Sequence, residues 1–236
     1  MCATNKQLLV EHGAMHVLSG HLEAASAAAG AAAPSHADER IVYNCLLTLR
    51  NLSDCAIREE ALDALIARLV AMLAAPGVDI NVSTCAAGIL SNLTCNNDAN
   101  KLRFVECNGV EVLLRTMLAA SGSAPENRED ICEPAVCTLR HVTNRHVQAH
   151  TAQEAVRYYY GLPVIAPLLQ SEQSRWPLLK ATIGLVRNLA LSDGNLGPLR
   201  ELGISKNKHL VAFSGSLLDK LSSRSRLTKW FYNIFP

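Results

Sequence analysis

The chain has 236 residues, 49% of them hydrophobic, 18% charged and 5% aromatic, and its formal net charge is +1. So even a balance excludes binding to nucleic acid through bulk charge; any charged surface must arise from placement. No apolar run is long enough to cross a bilayer, and the first residues lack a basic stretch leading into an apolar core, so a soluble intracellular protein without membrane insertion is expected.

Residues 5–12 and 15–22 read as two short helices parted at Gly13. Residues 23–37 (EAASAAAGAAAPSHA) are low in complexity, with Gly30 and Pro34. Alanine favours helix intrinsically, but no polar/apolar division would dock this stretch, so it reads as an inserted mobile loop with a frayed helical end. A first long helix is predicted over 38–53, with Asp38 as N-cap. Residues 57–75 give a short helix running into a longer one over 62–73, stopped by Pro76 and Gly77. Asp79 should cap a second long helix reaching about Thr94. A shorter pair follows over 100–107 and 110–120, broken at Gly109, and residues 121–127 read as a second insertion. The third long helix should begin near Glu129, with Pro134 in its first turn, where the missing N–H costs little. Residues 147–159 and 163–169 pair around Gly161; Pro177 opens a fourth long helix ending near Leu191, and 195–202 begins one more unit. Beyond Gly203 the pattern fails, leaving 204–236 as a divergent, poorly ordered tail that ends in Trp230, Phe231, Tyr232 and Phe235.

The long helices share a signature. Each ends in aliphatic–variable–polar–aliphatic: Leu49-Arg50-Asn51-Leu52, Leu90-Ser91-Asn92-Leu93, Leu139-Arg140-His141-Val142 and Val186-Arg187-Asn188-Leu189. The polar anchors Asn51, Asn92, His141 and Asn188 are spaced by 41, 49 and 47 residues. A helical period of about 40–47 residues is that of armadillo or HEAT solenoids. The expected fold is all-α, a right-handed armadillo-repeat α-solenoid of three-helix repeats, with about four to five units over 1–203. Positions five and two before each anchor and one after are always apolar. One unit cannot bury that stripe alone, so successive units must stack.

Eight cysteines lack any C-x-x-C, and Cys132 and Cys137 have no His pair at ligand spacing, so no metal site is expected and the thiols read as reduced and mostly buried. Scattered histidines show no ligand pattern. No glycine-rich phosphate loop or nucleophile elbow occurs, so no catalytic residue, cofactor or enzymatic activity is expected.

At NCLLTLRNLSD, DINVSTCAAGILSNLTCNN, REDICEPAVCTLRHVTNRH and WPLLKATIGLVRNLAL the sequence resembles the β-catenin/plakoglobin family. The resemblance spans about 2–203 and matches only part of that family's repeat array, which implies a divergent or partial chain. It implies a concave, basic groove that binds extended acidic segments such as cadherin cytoplasmic tails, TCF/LEF factors, APC and axin. Cytoplasmic and nuclear localisation with adherens-junction association, roles in adhesion and Wnt-type transcription, and no direct contact with nucleic acid are implied with it. Residue by residue, Asn51 and Asn92 resemble groove asparagines, with Asn96 one turn beyond Asn92, and Lys101 resembles a lysine pairing with a ligand aspartate. Arg140, His141 and Arg145 resemble a basic cluster, Lys180 and Arg187 a pair on the next helix, and Asn188 is the fourth anchor. Leu47 stands where the family carries an aromatic.

The residue chemistry suits such a groove. An Asn amide can bond a peptide's N–H and C=O without reading its side chains. Helices about 10 Å apart facing a strand that rises about 3.3 Å per residue would allot about three ligand residues to each unit. The alternative armadillo reading is an importin-α-like receptor for nuclear localisation signals. It needs tryptophan at Leu47, Gly88, Cys137 and Gly184, and an acidic wall; neither is present.

Overall fold

The computed structural model describes residues 2–31, 36–56, 62–122, 124–169 and 175–206. Among these, all regular structure is helical. In chain order the helices are α1 (Ala3–Glu11), α2 (Ala14–Ala31), α3 (His36–Ser53), α4 (Asp63–Ala74), α5 (Ile80–Thr94), α6 (Asp98–Glu106) and α7 (Gly109–Ala119). They continue as α8 (Pro125–Val142), α9 (Ala149–Tyr158), α10 (Gly161–Ile165), α11 (Trp176–Leu189) and α12 (Asp193–Glu201). Short 3-10 turns follow α7, α10 and α12.

Local chemistry explains the boundaries. Asp79 stands in extended backbone before α5, and its carboxylate accepts from the N–H groups of Asn81 and Val82, two donors the helix cannot satisfy itself. Asn97 caps α6 in the same way through Asn100 N–H. Gly13 and Gly77 sit at φ +79° and +69°, the left-handed region that glycine enters without a Cβ clash, and end α1 and the α4 turn.

The long helices form a ladder. α3 packs on α5, α5 on α8, and α8 on α11, while α4, α7 and the turn after α10 back them from behind. All twelve stripe residues are buried, from Leu46, Leu49 and Leu52 on α3 to Ile183, Val186 and Leu189 on α11. Truncating one of these leucines to alanine would cost about 2–5 kcal/mol. The stack is thus one continuous core shared between neighbours.

Four local expectations are corrected. The alanine-rich stretch is helical through Ala31, continuing α2 rather than forming a loop, because unbranched alanine pays the least to stay helical and α2 already packs on α3. Asp38 lies inside the first turn of α3, where its charge meets the helix dipole, and is not the N-cap. α8 starts at Pro125, not Glu129, so Pro134 is interior and not in the first turn. Only three of the eight thiols, Cys45, Cys85 and Cys132, are fully buried; all eight are free. The short helix expected from residue 57 begins outside the described residues, as does most of the tail after residue 206.

Candidate ligand-binding groove

One face of the ladder carries the sequence-predicted residues, and it is organised by α8. Taken every three or four residues along that helix, Asp130, Glu133 with Pro134, Cys137, Arg140 with His141, and then Asn144 form one line. The line runs from acidic at the N-terminal end to basic at the C-terminal end, the order that the helix dipole favours. Two hollows open along it.

The first hollow lies between α3, α5 and the first half of α8. Its lining includes Lys6, Arg50, Asn51, Asp54, Asn92, Asp130, Glu133 and Arg175. Most of these charges are matched: Lys6 Nζ is 2.7 Å from Asp54, and Arg175 reaches Asp130 at 2.6 Å and Glu129 at 2.7 Å. Lys6 holds the Asp54 carboxyl below its ordinary value despite some burial. Both carboxylates in turn hold the Arg175 guanidinium protonated, raising its pKa. Asn51 is exposed, whereas the Asn92 amide donates to Ser53 Oγ at 2.9 Å, bridging α5 to α3.

The second hollow, about 240 Å³, is lined by Asn96, Lys101, Arg140, His141, Asn144, Arg145, Gly184, Arg187 and Asn188. Among the described residues its lining carries four cationic side chains and no carboxylate. Nine of the ten predicted residues fall into one hollow or the other, Asn51 and Asn92 in the first and seven in the second; Lys180 lines neither and is exposed one turn before Gly184 on α11. Lys101 is 6% exposed, its ammonium 2.8 Å from Asp98, so it presents a held charge rather than a free arm.

Asn96 and Arg145 reach the hollow by a route the helical spacing did not foresee. Both lie beyond the ends of their helices, α5 and α8, in left-handed turns at φ 53° and 52°. They are four residues past equivalent anchors, so the same turn recurs in successive repeats. Asparagine tolerates that backbone; arginine pays for it.

The anchor amides are partly structural. Asn188 is 9% exposed and donates to the Arg140 carbonyl at 2.9 Å and to Thr143 Oγ1 at 3.3 Å, tying α11 to α8. A second set of buried amides escaped sequence reading. Asn100 donates to Leu93 O, Gln153 to Thr143 O, and Asn195 to Leu189 O and Gln153 O. Each ties the end of a long helix to the short helix after it, satisfying carbonyls that would otherwise be orphaned. The signal was available: a polar amide in the first turns of each short helix, where an apolar residue would suffice for packing.

The guanidinium groups on the groove floor rest on glycine. A Cβ at Gly88 would come within 2.9 Å of Arg50 Nε, and one at Gly184 within 2.8 Å of Arg140 Cδ. The residue before each anchor therefore lies across the residue four before the next anchor. Where Ser91 replaces the arginine, Cys137 replaces the glycine, and Ser91 hydrogen-bonds the thiol, whose pKa burial raises. His141 is pushed down to about 4, first by burial and then by the Arg140 and Lys101 charges, so its ring is neutral.

Comparison with known proteins settles the relationship. Over 207 residues, 86% of this chain, the sequence is 50% identical to catenin beta of Urechis caupo. It is 51% identical over 203 residues to the armadillo segment polarity protein of Drosophila melanogaster. This chain is an armadillo-repeat relative of β-catenin. It spans about a fifth of the length of those curated relatives, 22% of each. A chain from a structure of the interaction between cadherin and β-catenin, described as controlled by a phosphorylation switch, superposes with TM-score 0.70 at 35% identity, covering 84% of this chain and 33% of that one. A designed armadillo repeat protein superposes with TM-score 0.65 at 16% identity, covering 92% of this chain and 83% of that one, a likeness of fold alone. No protein-family profile matches the chain. Among the described residues no helix is long and apolar enough to cross a membrane.

Proposed function

We propose that this β-catenin-type chain is a non-catalytic scaffold whose α3–α5–α8–α11 face binds extended, acidic segments of partner proteins. The observation that carries this reading is the second hollow, where Lys101, Arg140, Arg145 and Arg187 converge and no carboxylate among the described residues joins the lining. Asp98 offsets the Lys101 charge, but the three guanidinium groups gathered in one depression still repel each other, and an anionic strand relieves that cost while adding charge-assisted hydrogen bonds. Asn96 and Asn144 beside them offer amide groups to a ligand backbone. Cadherin cytoplasmic tails fit this chemistry, in keeping with the cadherin interaction of the related solved structure; TCF/LEF factors, APC and axin are proposed on the same grounds of acidity and extension. Adhesion and Wnt-type transcriptional roles follow, with placement at adherens junctions, in the cytoplasm and in the nucleus.

Titration with an acidic cadherin- or TCF-like peptide tests this. The chain should bind it, a matched basic peptide should not bind, and Lys180→Glu with Arg187→Glu should remove binding. Unchanged affinity in that double variant would reject the groove.

A further inference from the structure

Among the polar side chains lining the second hollow in the described residues, His141 alone is neither a cation nor an amide, and its surroundings fix what it does. Its Nδ1 is 3.2 Å from Thr94 Oγ1. Thr94 has one hydroxyl proton, and that proton is donated to Leu90 O at 2.8 Å. Only lone pairs of Oγ1 remain to face the ring, so Nδ1 carries the proton and donates. The other neighbour of the ring on α5, Ser91, also offers the ring an acceptor through its backbone. Nε2 is then a bare lone pair, and Arg140 Nη2 stands 3.4 Å from it. An arginine N–H can only donate, so the polarity of this chain is set from Arg140 through His141 to Thr94 and Leu90.

The charged groups around the ring all agree with a neutral acceptor. They are Arg140 on α8 and Arg145 in the turn after it, Lys101 with its partner Asp98 on α6, and Arg187 on α11. α5 contributes no charge, only Ser91, Thr94 and Asn96. The Arg140 stem also lies on Gly184, with no room for a Cβ between them. Arg140 thus touches both an imidazole lone pair at its head and a bare glycine along its stem.

We infer that His141 is a positioning residue: as a neutral, Nδ1-protonated ring it accepts from Arg140 and, with Gly184, holds that guanidinium in place for an anionic side chain of the ligand. His141 itself makes no ion pair with the ligand. This rests on the groove reading above, and it deepens that reading by separating the residue that meets the anion from the one that aims it.

Two measurements on the full chain test it. Long-range proton–nitrogen spectra of the free protein, taken between about pH 8 and pH 5, read the ring directly. A neutral ring protonated at Nδ1 throughout is expected, together with an Arg140 guanidinium whose proton exchange is slow in wild type and His141→Gln but faster in His141→Ala. A ring protonated at Nε2, or one titrating near the ordinary histidine value of about 6.5, overturns the proposal. Peptide affinity provides the second readout. His141→Gln keeps an acceptor where Nε2 stood and should bind within about threefold of wild type; His141→Ala should lose about tenfold, as much as Arg140→Ala, and the double variant no more than either. Gly184→Ala, which displaces the arginine, should weaken binding while leaving the melting temperature unchanged or raised, since alanine suits a helix interior better than glycine. Losses that simply add in the double variant, or an alanine variant that binds like wild type, overturn the proposal. If wild type fails to bind the peptide, the groove reading falls while the spectra still decide the role of His141.

Discussion

The two hollows are built from the same repeat, yet they differ in what they leave available. In the first, Lys6 is spent on Asp54 and Arg175 on Asp130 and Glu129, so its charges largely cancel within the protein. In the second, Lys101 has Asp98 nearby, but among the described residues no carboxylate lines the hollow itself. A common backbone ladder therefore does not give a uniformly basic wall. Charge is sorted along α8, and anion affinity should concentrate where that helix ends.

Charge reversal should separate the hollows most clearly. Arg140→Glu with Arg187→Glu is expected to weaken an acidic peptide by more than about 100-fold, roughly 3 kcal/mol, by calorimetric titration. Lys6→Glu in the first hollow should change that affinity by less than about threefold. Comparable losses at both would erase the distinction.

The second hollow also depends on the amides behind it. Asn195 is fully buried and serves the carbonyls of Leu189 and Gln153 while accepting from Arg157 at 3.2 Å. Asn195→Ala should cost about 2–3 kcal/mol in denaturant unfolding, because buried partners are left unmatched. A loss below the usual surface effect would show that water replaces the amide.

Acid should bear on the second hollow through His141. Its folded pKa of about 4 lies below the ordinary 6.5, so the unfolded chain binds the proton more readily. The stability this neutral ring contributes is therefore present above about pH 6.5 and is lost as pH falls toward about 4. At about pH 5 the loss should be about 2 kcal/mol relative to a His141→Gln variant, measured by parallel unfolding curves. Parallel slopes for the two chains would remove His141 as the cause. The smallest effect belongs to the first hollow: Lys6→Ala breaks a partly exposed ion pair and should cost under about 1 kcal/mol, with little change in a thermal melt.

The ladder was legible in the sequence because its stripe repeats at fixed offsets from each anchor, and every one of those positions is buried. Asp79 was legible as a cap because its chemistry is local. The alanine-rich extension of α2 and the early start of α8 were not: alanine's intrinsic helix preference outweighed the missing polar/apolar division, and Pro125, at the first turn of α8, was read as part of an insertion. The basic residues were nameable one by one, but their company was not. Asp130 and Glu133 enter the groove from the first half of α8; they lie inside the helix expected from Glu129, but their spacing did not mark them as facing the groove. Asn188 faces the hollow yet spends its donor on the neighbouring helix, something no spacing rule reveals.

Hydrogen exchange of the full chain with and without an acidic extended peptide tests the central claim most directly. Slowed exchange at the end of α8 and its turn, residues 140–145, and along residues 184–188 of α11 is expected, with little change around Lys6 and Asp54. Protection confined to the first hollow, or to the opposite side of the ladder around α4 and α7, would contradict it.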